Sequence, residues 1–184
     1  LSKNPAEGVR GPDMGAKKAR SYLTPSTFAA FVGCATVPVQ WRRIVALAVY
    51  TYTRASELRG LEWSDVHLSE GFILIHRTRN AAGEGGTTKS ERPRRVPIEP
   101  ALVPLLEAMR AESGGAGQVV ELIDDRHLAR ALRTWLRLAG LASAEHESTA
   151  TTAGLSFHDL RASGITWRAI RGDECAHKAP SQNR

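Results

Sequence analysis

The chain has 184 residues, of which 42% are hydrophobic and 24% charged, enough for one core of ordinary size. No apolar run approaches the roughly 18 residues of a membrane-spanning helix, and two cysteines, Cys34 and Cys175, are too few for a disulfide framework and too scattered for a zinc site. A net charge of +6 creates a field that draws polyanions, and the sparse thiols suit a reducing cytoplasm.

Residues 1–22 mix Gly, Pro, Asn, Lys and Arg without hydrophobic period and read as a basic linker entering from something upstream; Leu1 in place of methionine suggests a fragment or an internal start. Order is expected from Leu23. Thr24 is placed to cap a helix with Pro25 at its first position, and Phe28, Phe31 and Val32 form one face. A second helix covers Val39 to Tyr50, with Trp41, Ile44, Val45, Ala48 and Val49 on a wide apolar face. "GFILIHRT" and "RRVPI" read as the strands of a hairpin whose long connection, Arg77 to Arg94, holds Gly83, Gly85 and Gly86 in a mobile tip that carries Lys89. Helices resume at Ala101 to Glu112 and at Asp125 to Ala139, the latter stopped by Gly140, and a surface loop over Leu141 to Thr152 leads to a last helix starting near Ser156. The expected class is α+β, mainly helical, with a small antiparallel sheet.

Three local patterns carry possible chemistry. In the helix from Asp125, Leu128, Leu132, Trp135 and Ala139 recur at helical spacing on the core side, while Arg126, Arg130, Arg133 and Arg137 form a second stripe without an acid on it. That stripe is either a solvated face or a phosphate-tracking surface, since guanidinium forks match phosphate oxygens. In "SFHDLRAS", Ser156 is the expected N-cap with Asp159 as its capping partner, and His158 and Arg161, three residues apart, set a proton-transfer group beside a fixed cation in the first turns. The plainer alternative there is a capped helix with two incidental polar residues. Arg54 and Glu57 repeat the three-residue relation at the start of "ASELRGL", where an ordinary structural ion pair accounts for them equally well.

Taken in order, "YTYTRASELRGLEW", Lys89 in "TTKSERPRRVPI" and "LSFHDLRASG" resemble the catalytic domain of the tyrosine recombinase, or phage integrase, family. The resemblance spans residues 23–173, and residues 1–22 are similar to the linker from that family's N-terminal core-binding domain, which this sequence lacks. It implies that Arg54 and Arg161 grip the nonbridging oxygens of a scissile DNA phosphate, with Glu57 holding Arg54 in place. It further implies that Lys89 protonates the leaving 5′ oxygen and that His158 assists proton transfer. No metal or other cofactor is required, the partner is double-stranded DNA, and family members exchange strands through a 3′-phosphotyrosine link in a tetramer.

The pattern departs from the family at its end. The nucleophilic tyrosine, about 35 residues beyond the H-x-x-R histidine, has no counterpart, because Tyr22, Tyr50 and Tyr52 all precede Arg161 and Tyr50 is expected to pack beside Arg54. Residues 174–184 lose apolar periodicity, and reading their codons one base later permits a family-like approach to the second histidine, so a frameshift or a simple truncation is expected. The chain is then expected to be a monomer that holds DNA without cutting it. Its rival is a non-catalytic DNA-binding remnant or regulator. A metal-dependent nuclease built on Glu57, His158 and Asp159 lacks acids at metal-ligand spacing.

Overall fold

A computed structural model describes residues 18, 20–87 and 93–172. Helix α1 (Pro25–Gly33) starts as its sequence dictates: Thr24 Oγ1 accepts from the Thr27 N–H at 3.1 Å, Pro25 occupies the first turn, and Phe28 and Phe31 are buried. Ahead of it, the Leu23 N–H donates to Ser163 Oγ at 2.9 Å, which ties the incoming chain to the last helix.

Helix α2 (Val39–Thr51) is the axis of the core. The expected apolar face proves too narrow a description, because every residue from Ile44 to Val49 is buried and only a helix enclosed on all sides can bury six in a row. It ends at Tyr52, the one non-glycine with positive φ (54°) among the described residues. Two residues later Arg54 caps the short helix α3 (Ala55–Arg59).

Strands β1 (Val66–His67), β2 (Phe72–Ile75) and β5 (Arg94–Pro97) form an antiparallel sheet in the order β1-β2-β5, with Ile73 opposite Val96 and Ile75 opposite Arg94. The β2–β5 pairing is the expected hairpin. Its connection is not the glycine-rich tip read from the sequence: β3 (Arg77–Arg79) and β4 (Gly85–Thr87) pair as a second, inner hairpin, so Gly85 and Gly86 lie in a strand. The turn is Asn80–Glu84, where Asn80 Oδ1 accepts from the Glu84 N–H at 2.9 Å and Gly83 takes a φ of 87°. Charge fastens this arm to the core. Arg77 donates to Glu62 at 2.6 Å and to the buried Asp65 at 2.8 Å, and Arg79 reaches Glu62 at 3.2 Å. The backbone of Arg77 and Thr78 passes so close to Gly60 that a Cβ there would stand 3.1 Å from it. Lys89 lies outside the described residues.

A 3₁₀ turn at Pro100–Leu102 precedes α4 (Val103–Ser113), which therefore starts slightly later than expected. Helix α5 (Asp125–Leu138) buries Leu128, Leu132 and Leu136 at strict four-residue spacing; Trp135 is half-buried, so Leu136 takes the core position assigned to it from the sequence. The loop that follows holds a 3₁₀ turn around the buried His146, whose Nδ1 accepts from the Ser143 N–H. Helix α6 (Phe157–Ile170) packs lengthwise on α2, and a Cβ on Gly164 would overlap the Val49 carbonyl oxygen, so glycine is what permits the approach. An apolar groove of about 750 Å³ remains between α1 and the far end of α6, lined in part by Phe28, Val32, Tyr50, Trp167 and Ile170. Among the described residues no helix is long and apolar enough to cross a membrane.

Candidate functional site

Arg54, Glu57 and Arg161 come together where the start of α3 meets α6. Arg54 occupies the N-cap of α3, and Glu57, in the first turn, reaches back so that its Oε2 accepts from the Arg54 N–H at 2.9 Å. The same carboxylate binds the Arg54 guanidinium, Nη1 to Oε1 at 2.9 Å. Glu57 is 1% exposed and Arg54 41%, so the pair joins a buried anion to a cation that faces solvent. Arg161 arrives from the second turn of α6. Its Nη1 donates to the carbonyl of Tyr52 and lies 3.7 Å from Glu57 Oε2.

The Tyr52 carbonyl is offered to Arg161 by the left-handed end of α2. Where the chain turns with φ 54° it leaves the helix, and the carbonyl is free of the helical ladder. Tyrosine is costlier than glycine in that conformation by about 1 kcal/mol or more. The ring also contributes, since it packs against Gly164 and lies 5.9 Å from the Arg168 guanidinium. Burial, then the nearby Glu99 carboxylate, pushes the Tyr52 hydroxyl above its usual pKa. Tyr50 packs edge-on to Phe28 at 5.4 Å.

Sequence reasoning missed the fourth member, Arg94. Strand β5 sends Val96 inward and Arg95 outward, and strict alternation puts Arg94 on the Val96 face, where its side chain is only 20% exposed. It closes on Glu57 as a fork, Nη2 to Oε2 at 2.6 Å and Nη1 to Oε1 at 3.1 Å. The available signal was that alternation: an arginine in phase with a buried valine needs a buried anion. One carboxylate thus meets three guanidinium groups, leaving a surplus of two positive charges.

Titration follows from this crowding. Burial pushes the Glu57 carboxyl up, but donation from Arg94, the Arg54 N–H and the charge of Arg94 outweigh it, and the group stays below its usual value. Arg161 is shifted down, first by burial and then by the like charge of Arg94, with Glu57 acting in the opposite sense. It still carries its proton at neutral pH, as arginine does. Beyond those contacts neither Arg54 nor Arg161 spends its remaining N–H donors on any described residue.

His158 is exposed and shares a concavity of about 270 Å³ with Arg54, Ser56, Leu128 and Phe157. The helix start that carries it is built as its sequence indicates: Asp159 Oδ2 accepts from the Ser156 N–H at 2.8 Å and from Ser156 Oγ at 2.6 Å. The arginine stripe of α5 is divided in its contacts. Arg126 is held by Asp124, whose carboxyl it lowers to about 2 mainly by side-chain donation; Arg133 donates to the Leu155 carbonyl at 2.8 Å; Arg137 pairs with Glu147 at 3.1 Å. Only Arg130, exposed, has no partner among the described residues. The acids that complement this stripe lie outside α5, which is why they do not show in its periodicity. Among the described residues no group of three or more His, Cys, Asp or Glu side chains is placed to hold a metal ion.

The model of the phage integrase family matches residues 27–169. No curated protein sequence matches the chain. Among solved structures, XerA recombinase is similar over 88% of this chain and 54% of its own, with a TM-score of 0.62 at 20% identity. The Tn1549 transposon integrase in complex with transposon right end DNA is similar over 94% of this chain and 61% of its own, with a TM-score of 0.66 at 17% identity. Lambda integrase (residues 75–356) bound to DNA is similar over 85% and 54%, with a TM-score of 0.61 at 18% identity. The chain therefore has the mainly helical fold of these catalytic domains and spans a little over half the length of those structures.

Proposed function

The chain belongs to the phage integrase family, and on that premise we propose that its two-arginine site binds a single phosphate of duplex DNA, as part of a domain built for site-specific strand exchange. The observation that carries this reading is the charge balance at Glu57. A lone buried carboxylate organises three guanidinium groups and cannot neutralise them, so Arg54 and Arg161 retain charge and N–H donors on one side of the domain. Two such cations match the nonbridging oxygens of a phosphodiester and stabilise the charge that grows on them during phosphoryl transfer. His158, in the concavity beside Arg54, is the group for proton transfer there. Lys89, as the resemblance implies, protonates the leaving 5′ oxygen, and Arg130 adds a neighbouring phosphate contact.

A second reading concerns the outcome of binding. The 184 residues hold tyrosine only at positions 22, 50 and 52, and the ring of Tyr52 is committed to packing against α6. On this reading these 184 residues by themselves hold DNA without forming a phosphotyrosine link.

The test is the salt dependence of binding to a 20-base-pair duplex by the parent, Arg54→Ala and Arg161→Ala. Each phosphate neutralised contributes about 0.9 to the slope of log affinity against log salt. Each substitution is expected to weaken binding, and because both arginines meet one phosphate the two together should flatten the slope by about 0.9. Unchanged affinity in both would end the phosphate reading. Incubation with a nicked suicide substrate decides the second point, since a covalent protein–DNA adduct would refute it.

A further inference from the structure

Arg94 stands apart from the other two guanidiniums of the site. Both of its terminal nitrogens are spent on Glu57, at 2.6 and 3.1 Å, and it is half as exposed as Arg54. Its two-pronged contact turns the fork of the guanidinium onto the carboxylate, whereas Arg54 and Arg161 each commit a single side-chain N–H among the described residues. Its contact instead spans 37 residues and joins strand β5 to the first turn of α3. Without it, Glu57 would be a buried anion facing Arg54 and Arg161, and it would draw on the donors that those two hold in reserve.

Resting on the phosphate-binding reading above, we propose that Arg94 is a positioning residue: by occupying the Glu57 carboxylate it fixes the start of α3 on β5 and leaves Arg54 and Arg161 free to meet one phosphate. Glu57 has two oxygens and accepts four hydrogen bonds, two of them from Arg94. The carboxylate is thereby saturated. A guanidinium fork does this with fixed geometry, whereas a lysine ammonium at the same place meets one oxygen at a time.

The experiment measures affinity for a 20-base-pair duplex at fixed salt, with circular dichroism on each protein, for the parent, Arg94→Met, Arg94→Lys, Glu57→Gln and the double variant Arg94→Met/Glu57→Gln. Arg94→Met is expected to bind about tenfold more weakly, the factor that about 1.4 kcal/mol sets. Arg94→Lys should recover part of the loss, because the charge returns without the fork. In the double variant no buried carboxylate remains to be held, so its affinity should fall within about threefold of the weaker single variant, a strongly non-additive cycle. The double variant also guards against misfolding, because removing both partners of a buried pair is far milder than removing one.

Losses that multiply in the double variant would show Arg94 acting on DNA independently and would overturn the positioning role. Parent-like binding by Arg94→Met would overturn it too. A parent whose affinity ignores Arg54→Ala and Arg161→Ala would refute the phosphate reading, and the role of Arg94 with it.

Discussion

Replacing Gly164 with alanine probes the contact on which the placement of Arg161 depends. A Cβ at this position would overlap the Val49 carbonyl oxygen and stand 2.9 Å from two carbons of the Tyr52 ring. Carbon–oxygen contacts settle near about 3.3–3.6 Å, and the obstacle is backbone that cannot rotate away. Helix α6 must therefore lift from α2. Arg161 lies three residues earlier, about 4.5 Å along the helix axis, so the shift is felt at its contact with the Tyr52 carbonyl and at the 3.7 Å approach to Glu57. Overpacking a core of this kind costs about 1–3 kcal/mol, and the backbone clash places Gly164→Ala at the upper end. For a domain of this size about 3 kcal/mol lowers Tm by about 6–12 °C. Gly33→Ala is the control: it is helical, its Cβ meets nothing within 4 Å, and alanine there should be neutral or stabilising by up to about 1 kcal/mol. Thermal melts followed by circular dichroism compare the two. If Gly164→Ala melted within a degree of the parent, the close approach of α2 and α6 would not be what seats Arg161.

Other expectations follow from the same geometry. Asp159→Ala removes the acceptor of both Ser156 donors at the start of α6 and should cost about 1–2 kcal/mol, read as a fall in the urea midpoint. Because the Glu57 carboxyl sits below its ordinary value of 4.5, its share of the stability is complete above that pH and lost as pH falls through the lower folded value. The stability gap between the parent and Glu57→Gln should therefore be constant from pH 8 to 5 and close below it; a gap that widened with acid would reverse the assigned shift. Arg77→Leu leaves Glu62 with Arg79 alone and the buried Asp65 with His76 as its remaining side-chain partner among the described residues, so amide exchange in β3 and β4 should quicken while α2 stays protected. Arg130→Ala should weaken duplex binding more than Arg126→Ala, whose side chain is already held by Asp124; equal effects would dissolve that distinction.

The parts of the molecule that could be read directly are those whose cause lies within a turn or two of chain. Thr24 with Thr27, Ser156 with Asp159 and Arg54 with Glu57 are all contacts over three residues or fewer, and their donors and acceptors meet as soon as a helix forms. The repeat of Leu128 and Leu132 likewise exposes one face of α5 before any partner is known. The remainder depends on distant segments meeting. Arg94 finds Glu57 across 37 residues, and Arg161 finds the Tyr52 carbonyl across 109. The inner hairpin forms where the Arg77 and Arg79 side chains find Glu62 and Asp65, although its glycines alone suggested a loose tip. The acid that takes up Arg137, Glu147, comes from the loop beyond the helix that displays the stripe. Local order follows from backbone hydrogen bonding and side-chain period, which nearest neighbours decide. Which buried charge is balanced by which cation is decided only when strand β5 and helices α3 and α6 exclude water together, because only then does an unpaired carboxylate become too costly to leave alone.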